Sequence, residues 1–187
     1  MISRFEPQLI LPVGPRDHIR GARDTNVTLV EYGDYECPFC GQAHGVIMEL
    51  LDQIGDRFRF VFRNFPLTTM HPHAELAAEA AEAAGAQRRF WEMHDTLYEN
   101  QDALEPEDLL QYAADLDLDV DQFASDLSSH AFERRVREDF MSGVRSGVSG
   151  TPTFFINGVR HDGPWDFDTL ASEILAAEQP RLRRMRA

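Results

Sequence analysis

The stretch Cys37-Pro38-Phe39-Cys40 limits what this chain can be more than any other. It holds the only two cysteines of the sequence. An apolar run from Val27 to Tyr32 precedes it, and a helix-like run from Gly41 to Ile54 follows. The pattern is strand, tight turn and helix, with a dithiol at the start of the helix. A helix N-terminus presents unpaired backbone N–H groups and a partial positive charge, both of which favour a thiolate. Nucleophilic cysteines are activated in such settings. Pro38 suits a first helical turn, because its missing N–H would have had no intrahelical partner. Two cysteines at this spacing are a redox or metal pair rather than a structural framework. The residues around them favour thiol–disulfide chemistry.

The neighbouring segments place the dithiol in a β-α-β unit. Val27 to Tyr32 reads as a buried strand ended by Gly33-Asp34, and Phe58 to Arg63 reads as a second strand. The helix between them is long enough to join parallel strands. A helical block follows, from about Ala74 to Arg145. It opens on Ala-Glu repeats of high helix propensity and carries Phe90, Trp91, His94, Leu97 and Tyr98 at helical spacing. Pro106 opens a further helix, and Val120 to Ser128 and Phe132 to Val144 continue the pattern. The chain then returns to strand. Thr153 to Ile156, Asn157-Gly158 and Val159 to His161 spell a hairpin with a type I′ turn. Asp166 to Ala177 is a last amphipathic helix. The first 26 residues are rich in Pro, Gly and Arg, and Leu9-Ile10-Leu11 is the candidate edge strand there. Arg181 to Arg186 reads as a frayed basic tail.

Composition removes several classes of function. At 187 residues the chain is one domain, or a domain with an insertion, and large enough to bury a core without disulfide staples. The 18 basic residues, all arginine, face 32 acidic ones, for a net charge of −14. Nucleic acid is therefore not an expected partner. No apolar stretch approaches the ~18 residues that span a membrane, and Met1 to Pro7 lack a secretory core. The expected location is cytoplasmic, with an exported mature form, trimmed of its signal, as the alternative.

Competing readings of the polar residues are weaker. A CxxC is half of a zinc site, but zinc takes about four ligands, and only His44 lies on the same helix face. No metal site is expected. His71 and His73 flank Pro72 at a loop-to-helix junction and read as structural. Asp115, Asp117, Asp119 and Asp121 mimic part of a calcium loop without its glycine or closing glutamate; capping aspartates in a helix-to-helix turn fit better. Phe90, Trp91 and Tyr98 read as core.

β-α-β, helices, then β-β-α is the order of a thioredoxin fold with an inserted helical domain. With that order in place, the chain resembles the DsbA-like thiol–disulfide oxidoreductases from about residue 15 to 178. The motifs are Glu31 six residues before Cys37, the CPFC stretch itself, Phe62-Arg63-Asn64-Phe65-Pro66-Leu67 with His71-Pro72-His73-Ala74, Phe90-Trp91-Glu92-Met93-His94, and Gly147-Val148-Ser149-Gly150-Thr151-Pro152-Thr153-Phe154. A similar domain is also found fused behind sodium/proton antiporters. The resemblance implies an α/β, thioredoxin-like fold. Its thioredoxin-like part would span 1–66 and 147–187, and its helical insertion 67–146.

The same resemblance assigns roles. Cys37 would be the exposed nucleophile and Cys40 the buried resolving thiol. Glu31 would be a buried carboxylate that exchanges a proton with Cys40, since burial raises a carboxyl pKa. Pro152 would be a cis-proline facing the dithiol and leave the Thr151 backbone free to pair with an extended substrate. Pro38 and Phe39 would complete the substrate contact. No cofactor is implied beyond the Cys37–Cys40 disulfide. The partners would be protein or peptide thiols and disulfides, plus a redox partner that recycles the dithiol. Phe39 stands where the best-known relatives carry a histidine, which implies a less oxidising pair, and Thr151 stands where they carry a valine. The expected function is a dithiol oxidoreductase that reduces, oxidises or isomerises disulfides. The alternatives are a redox-sensing interaction domain and, behind it, a CxxC metal site.

Overall fold

The computed structural model describes residues 8–178. The expectations for Met1 to Pro7 and for the Arg181 to Arg186 tail lie outside that range. Among the described residues are five strands and seven helices: β1 (His18–Gly21), β2 (Thr28–Gly33), α1 (Pro38–Ile54), β3 (Arg59–Asn64), α2 (Ala74–Ala86), α3 (Phe90–Glu99), α4 (Pro106–Asp115), α5 (Val120–Ser128), α6 (Glu133–Arg145), β4 (Thr153–Ile156), β5 (Val159–His161) and α7 (Phe167–Glu178). Five helices thus stand between β3 and β4, as the order of motifs implies.

The strands form one mixed sheet in the order β1-β3-β2-β4-β5. β2 and β3 are parallel, with Glu31 opposite Phe62, and α1 is their crossover. β1 and β4 run antiparallel to the pair. Every residue of β2 is buried, as expected for a central strand covered on both faces. Leu29, Phe60, Phe62 and Phe154 pack into one core with α1, α3 and α7. Val30, Tyr32, Val61 and Phe155 form the second core with Phe65 and Phe140, whose rings stack at 4.4 Å. The odd and even residues of β2 therefore serve opposite layers.

Local sequence explains the elements that hold the site. α1 buries Cys40, Ala43, His44, Ile47 and Leu50, the stripe of a helix with one face on a sheet. α2 buries nearly every position from Ala74 to Ala84, and its alanines let other helices approach on several sides. In the hairpin, Asn157 (φ 48°) and Gly158 (φ 81°) supply the two left-handed residues of a type I′ turn. Asn157 Oδ1 also accepts from Thr28 N at 2.8 Å, which fixes the turn to β2. Asp119 caps α5 by accepting from Gln122 N, the helix-to-helix turn read from its aspartates.

The N-terminal expectation needs correction. Leu9-Ile10-Leu11 does not form an edge strand; Gln8 makes an isolated bridge to Val159 on the β5 edge. The edge strand beside β3 is His18–Gly21. Its two polar side chains meet charged partners, Arg20 with Asp95 and His18 with Glu82, and only Ile19 packs on the core. A hydrophobic pattern could not reveal it.

Candidate active site

Cys37 is the residue before the first turn of α1 (φ −76°, ψ 120°), with Pro38 the first helical residue. Its carbonyl accepts from Cys40 N and Gly41 N, which closes the turn and brings the two cysteines to one helix end. They approach to 3.8 Å and are not bonded to each other. The Thr151–Pro152 peptide, which is cis, lies across the same end, and Cys37 Sγ meets the Thr151 carbonyl at 3.5 Å.

Cys37 is not the exposed residue of the sequence-based expectation: it is 4 % exposed. The cover comes from distant parts of the chain. Thr151 is 114 residues away in sequence. Gln101, in the turn after α3, donates to the carbonyls of Tyr35 (2.8 Å) and Cys37 (2.9 Å). Gly41 admits this side chain; a Cβ there would fall 2.1 Å from Gln101 Oε1. Phe39 is the exposed member of the motif, at 58 %.

The two thiols differ in acidity. Cys37 is lowered to about 5, chiefly by a hydrogen bond from Cys40, against the cost of burial, with Thr151 and the amides of Cys40 and Phe39 adding to the effect. Cys40 is raised well above a normal thiol by burial first, then by donating to Cys37 and by the charges of Glu31 and Cys37. The helix start thus holds one thiolate and one thiol. Beneath them, Glu31 is raised to about 8, by burial and then by the Cys37 charge. Its Oε1 has no hydrogen-bond partner, and neither has Thr151 Oγ1 nor Tyr98 Oη. The geometry therefore brings together Cys37, Cys40, Pro38, Thr151 and Pro152, with Glu31 coupled to both sulfurs.

Sequence reasoning reads His71 and His73 as structural but gives no role to Asp34 and Glu36, with which they anchor the loop before Cys37. Asp34 is buried and accepts from Glu36 N, Leu67 N and His71 Nδ1, each at 2.8 Å. His73 Nδ1 lies 3.0 Å from Glu36 Oε1, and its Nε2 lies 3.2 Å from Glu105 at the start of α4. The His71-Pro72-His73 motif therefore ties the dithiol loop to the helical segment. Its signal in the sequence was the motif itself, which names no partner.

His44 lies one turn along α1 from Cys40 but faces away from a shared metal site. Its ring stacks on Tyr98 at 5.0 Å, and burial lowers its pKa. Ligand atoms of His44, His94 and Asp95 lie within 4.8 Å of one another. Asp95, however, is held by both Nη atoms of Arg20, at 2.9 and 2.6 Å. A divalent cation there would have to displace or repel a fixed guanidinium.

A dithiol at the start of a sheet-to-sheet crossover helix, faced by a cis-proline loop and topped by inserted helices, defines a thioredoxin-fold protein of the DsbA-like type. The chain matches the thioredoxin family over residues 14–176, and it belongs to that family. Among solved structures, oxidised BdbD from Bacillus subtilis superposes with a TM-score of 0.82 at 24% identity, covering 94% of this chain and 98% of that one. DsbA1 of Wolbachia pipientis superposes at 0.76 with 21% identity, over 91% and 94%. By sequence, the chain is 51% identical over 170 residues to the Na(+)/H(+) antiporter NhaA 3 of Salinispora tropica, a match that covers 90% of this chain and 26% of that protein. The chain thus spans about a quarter of that antiporter's length. No helix among the described residues is long and apolar enough to cross a membrane.

Proposed function

We propose that the protein exchanges disulfides with protein or peptide substrates through Cys37, with Cys40 as resolving thiol. The observation that carries this reading is the approach of Cys37 and Cys40 to 3.8 Å at the start of α1, beside the cis Thr151–Pro152 peptide, with surroundings that lower the Cys37 pKa and raise that of Cys40. The thiolate is the nucleophile in such exchange.

In the reductive direction, the Cys37 thiolate attacks one sulfur of a substrate disulfide. A Cys37–substrate bond forms and the other substrate sulfur leaves as thiolate. That step also removes the negative charge of Cys37. The charge had raised both Cys40 and Glu31, so its loss lowers both pKa values. Glu31 gives up its proton more readily and, as a carboxylate, serves as base for Cys40. The Cys40 thiolate then attacks Cys37 sulfur, the intramolecular disulfide forms, and the substrate leaves with both sulfurs reduced. Oxidation of a substrate dithiol is the same path in reverse. An extended substrate segment beside the Thr151 backbone, with an apolar side chain on Phe39, would be held at attack distance.

A thiol pKa of about 7 accompanies thioredoxin's potential of about −270 mV, and one of about 3.5 accompanies about −120 mV in DsbA. Cys37, lowered to about 5, lies between, so the potential of the pair is expected between those two values. Where that potential is above the poise of its compartment the pair is kept mainly reduced, which suits reduction and isomerisation. A separate redox partner would recycle the pair.

The test is insulin reduction with glutathione as recycling thiol. Wild type should turn over, Cys37→Ser should be inactive, and Cys40→Ser should accumulate a substrate mixed disulfide that reducing gel electrophoresis releases. Full activity in Cys37→Ser would refute the assignment.

A further inference from the structure

Three carboxylates stand in the short stretch that leads to the nucleophile: Glu31, Asp34 and Glu36. Asp34 is built into the turn that ends on Cys37. Its carbonyl accepts from Cys37 N at 3.2 Å, its Oδ1 from Glu36 N, and its Oδ2 from both Leu67 N and His71 Nδ1. Such a turn brings its end residues to within about 7 Å, Cα to Cα. The carboxylate that shapes the turn thus sets a negative charge near the sulfur that has to be a thiolate. Like charges so placed oppose each other's ionisation.

Among the described residues no arginine pairs with Asp34; it takes a histidine. His71 is fixed from two sides. Its N donates to the Leu67 carbonyl at 2.9 Å, while Leu67 N shares Asp34 Oδ2 with the His71 ring. The His71 side chain is 14 % exposed and that of Asp34 0 %, so solvent screens their charges poorly. His73 differs: it pairs with Glu36 and Glu105 at 37 % exposure, where screening is stronger. The groups that face His71 are Asp34, Cys37 and Glu36. Burial opposes its charge, but these three outweigh burial and raise its pKa.

We propose that His71 is a positioning residue for the exchange chemistry: its imidazolium, held on Asp34, offsets the carboxylate charge at the base of the dithiol turn and so favours the Cys37 thiolate. This rests on Cys37 being the nucleophile, as proposed above. Protonated His71 makes the Asp34 side of the turn electrically neutral. Once His71 loses its proton, the Asp34 charge faces the sulfur uncompensated. The coupling is reciprocal. When Cys37 enters a disulfide its charge is gone, and His71 releases its proton to solvent more readily. The dithiol therefore exchanges protons with a group outside the cysteines as it cycles, and its thiolate is favoured more below the His71 pKa than above it.

The test follows the imidazole 1H–15N resonances of the full chain against pH, with the His71 signal identified by its loss in His71→Asn. The His71 pKa should be lower in Cys37→Ser than in reduced wild type by about 0.5 pH unit, the scale of a partly screened charge at this separation. His130, which pairs with Glu79 at the start of α6, should titrate alike in both. In His71→Asn the amide still offers Asp34 a donor, so the turn is kept and only the charge is lost. The Cys37 pKa of that variant, read from thiolate absorbance at 240 nm, should rise by the same amount, a shift that a purely structural role would not produce. A His71 difference below about 0.2 pH unit would overturn the proposal, as would a Cys37 titration unmoved in His71→Asn. Neither titration depends on substrate turnover, so the insulin assay judges the exchange reading separately.

Discussion

Cys37 and Cys40 are the same chemical group three positions apart, and their surroundings drive them to opposite protonation states. Hydrogen bonds that converge on Cys37 outweigh the cost of its burial, while Cys40 is left with burial and two nearby negative charges. The contact Thr151 makes with Cys37 Sγ is through its carbonyl, and its hydroxyl makes no hydrogen bond, so the amides and Cys40 are the hydrogen-bond donors that favour the thiolate. Thiolate absorbance at 240 nm against pH should show Cys37 titrating near 5 rather than near the ordinary 9; a titration above about 7 would contradict a thiolate favoured at Cys37. Glu31 gives a stability signature of opposite sign to the usual acid. Its folded pKa of about 8 lies above the unfolded value of 4.5. The folded state therefore binds the proton more tightly, and stability is full below about pH 4.5 and declines as pH rises through about 8. Oxidised protein isolates this effect, because Cys37 no longer titrates, while burial, the larger cause, remains. Urea unfolding of the oxidised form should lose a few kcal/mol between pH 5 and 8, on the order set by ~1.4 kcal/mol per pH unit. Glu31→Gln should flatten the profile; an equally steep decline in that variant would assign it elsewhere.

At the scale of elements, the sequence was most legible where one residue dictates backbone shape. Asn157-Gly158 specified the β4–β5 turn, and Pro38 and Pro106 marked helix starts that the structure places at those residues. It was least legible where tertiary partners do the specifying. β1 carries a single apolar residue, Ile19, which packs on the second core, while His18 and Arg20 on its other face meet Glu82 and Asp95. The closure of the site over Cys37 depends on Gln101 and Thr151, and the loop before it on Asp34 and His71; spacing along the chain predicts none of these pairs. The N-terminal segment shows the energetic side of the same point. Arg63 is fully buried in β3, donates to both carboxylate oxygens of Asp17, and also donates to the Leu11 carbonyl and the Tyr32 hydroxyl. Asp17 carries the compensating charge. In Asp17→Asn the guanidinium would be left buried without it, a change that costs about 3 kcal/mol or more. The urea midpoint should fall accordingly at an unchanged slope, and a loss below about 1 kcal/mol would mean that the carbonyls and Tyr32 satisfy Arg63 by themselves.

At the scale of the whole molecule, the helices between β3 and β4 do more than decorate a thioredoxin sheet. They supply Gln101 over the cysteines and Tyr98 beside Glu31, and their leading loop supplies His71 to Asp34. The environment that tunes the dithiol is assembled from both halves of the sheet and from the insertion between them. Its overall effect is a single thermodynamic quantity, the reduction potential of the Cys37–Cys40 pair. Equilibration with defined glutathione buffers, followed by alkylation and separation of the two forms, measures it directly. The expected result is a fully reversible two-electron couple between the values of thioredoxin, about −270 mV, and DsbA, about −120 mV. A pair that forms no disulfide at any glutathione ratio would contradict the assignment of a redox-active dithiol, and a value below about −270 mV would contradict a thiolate stabilised at Cys37.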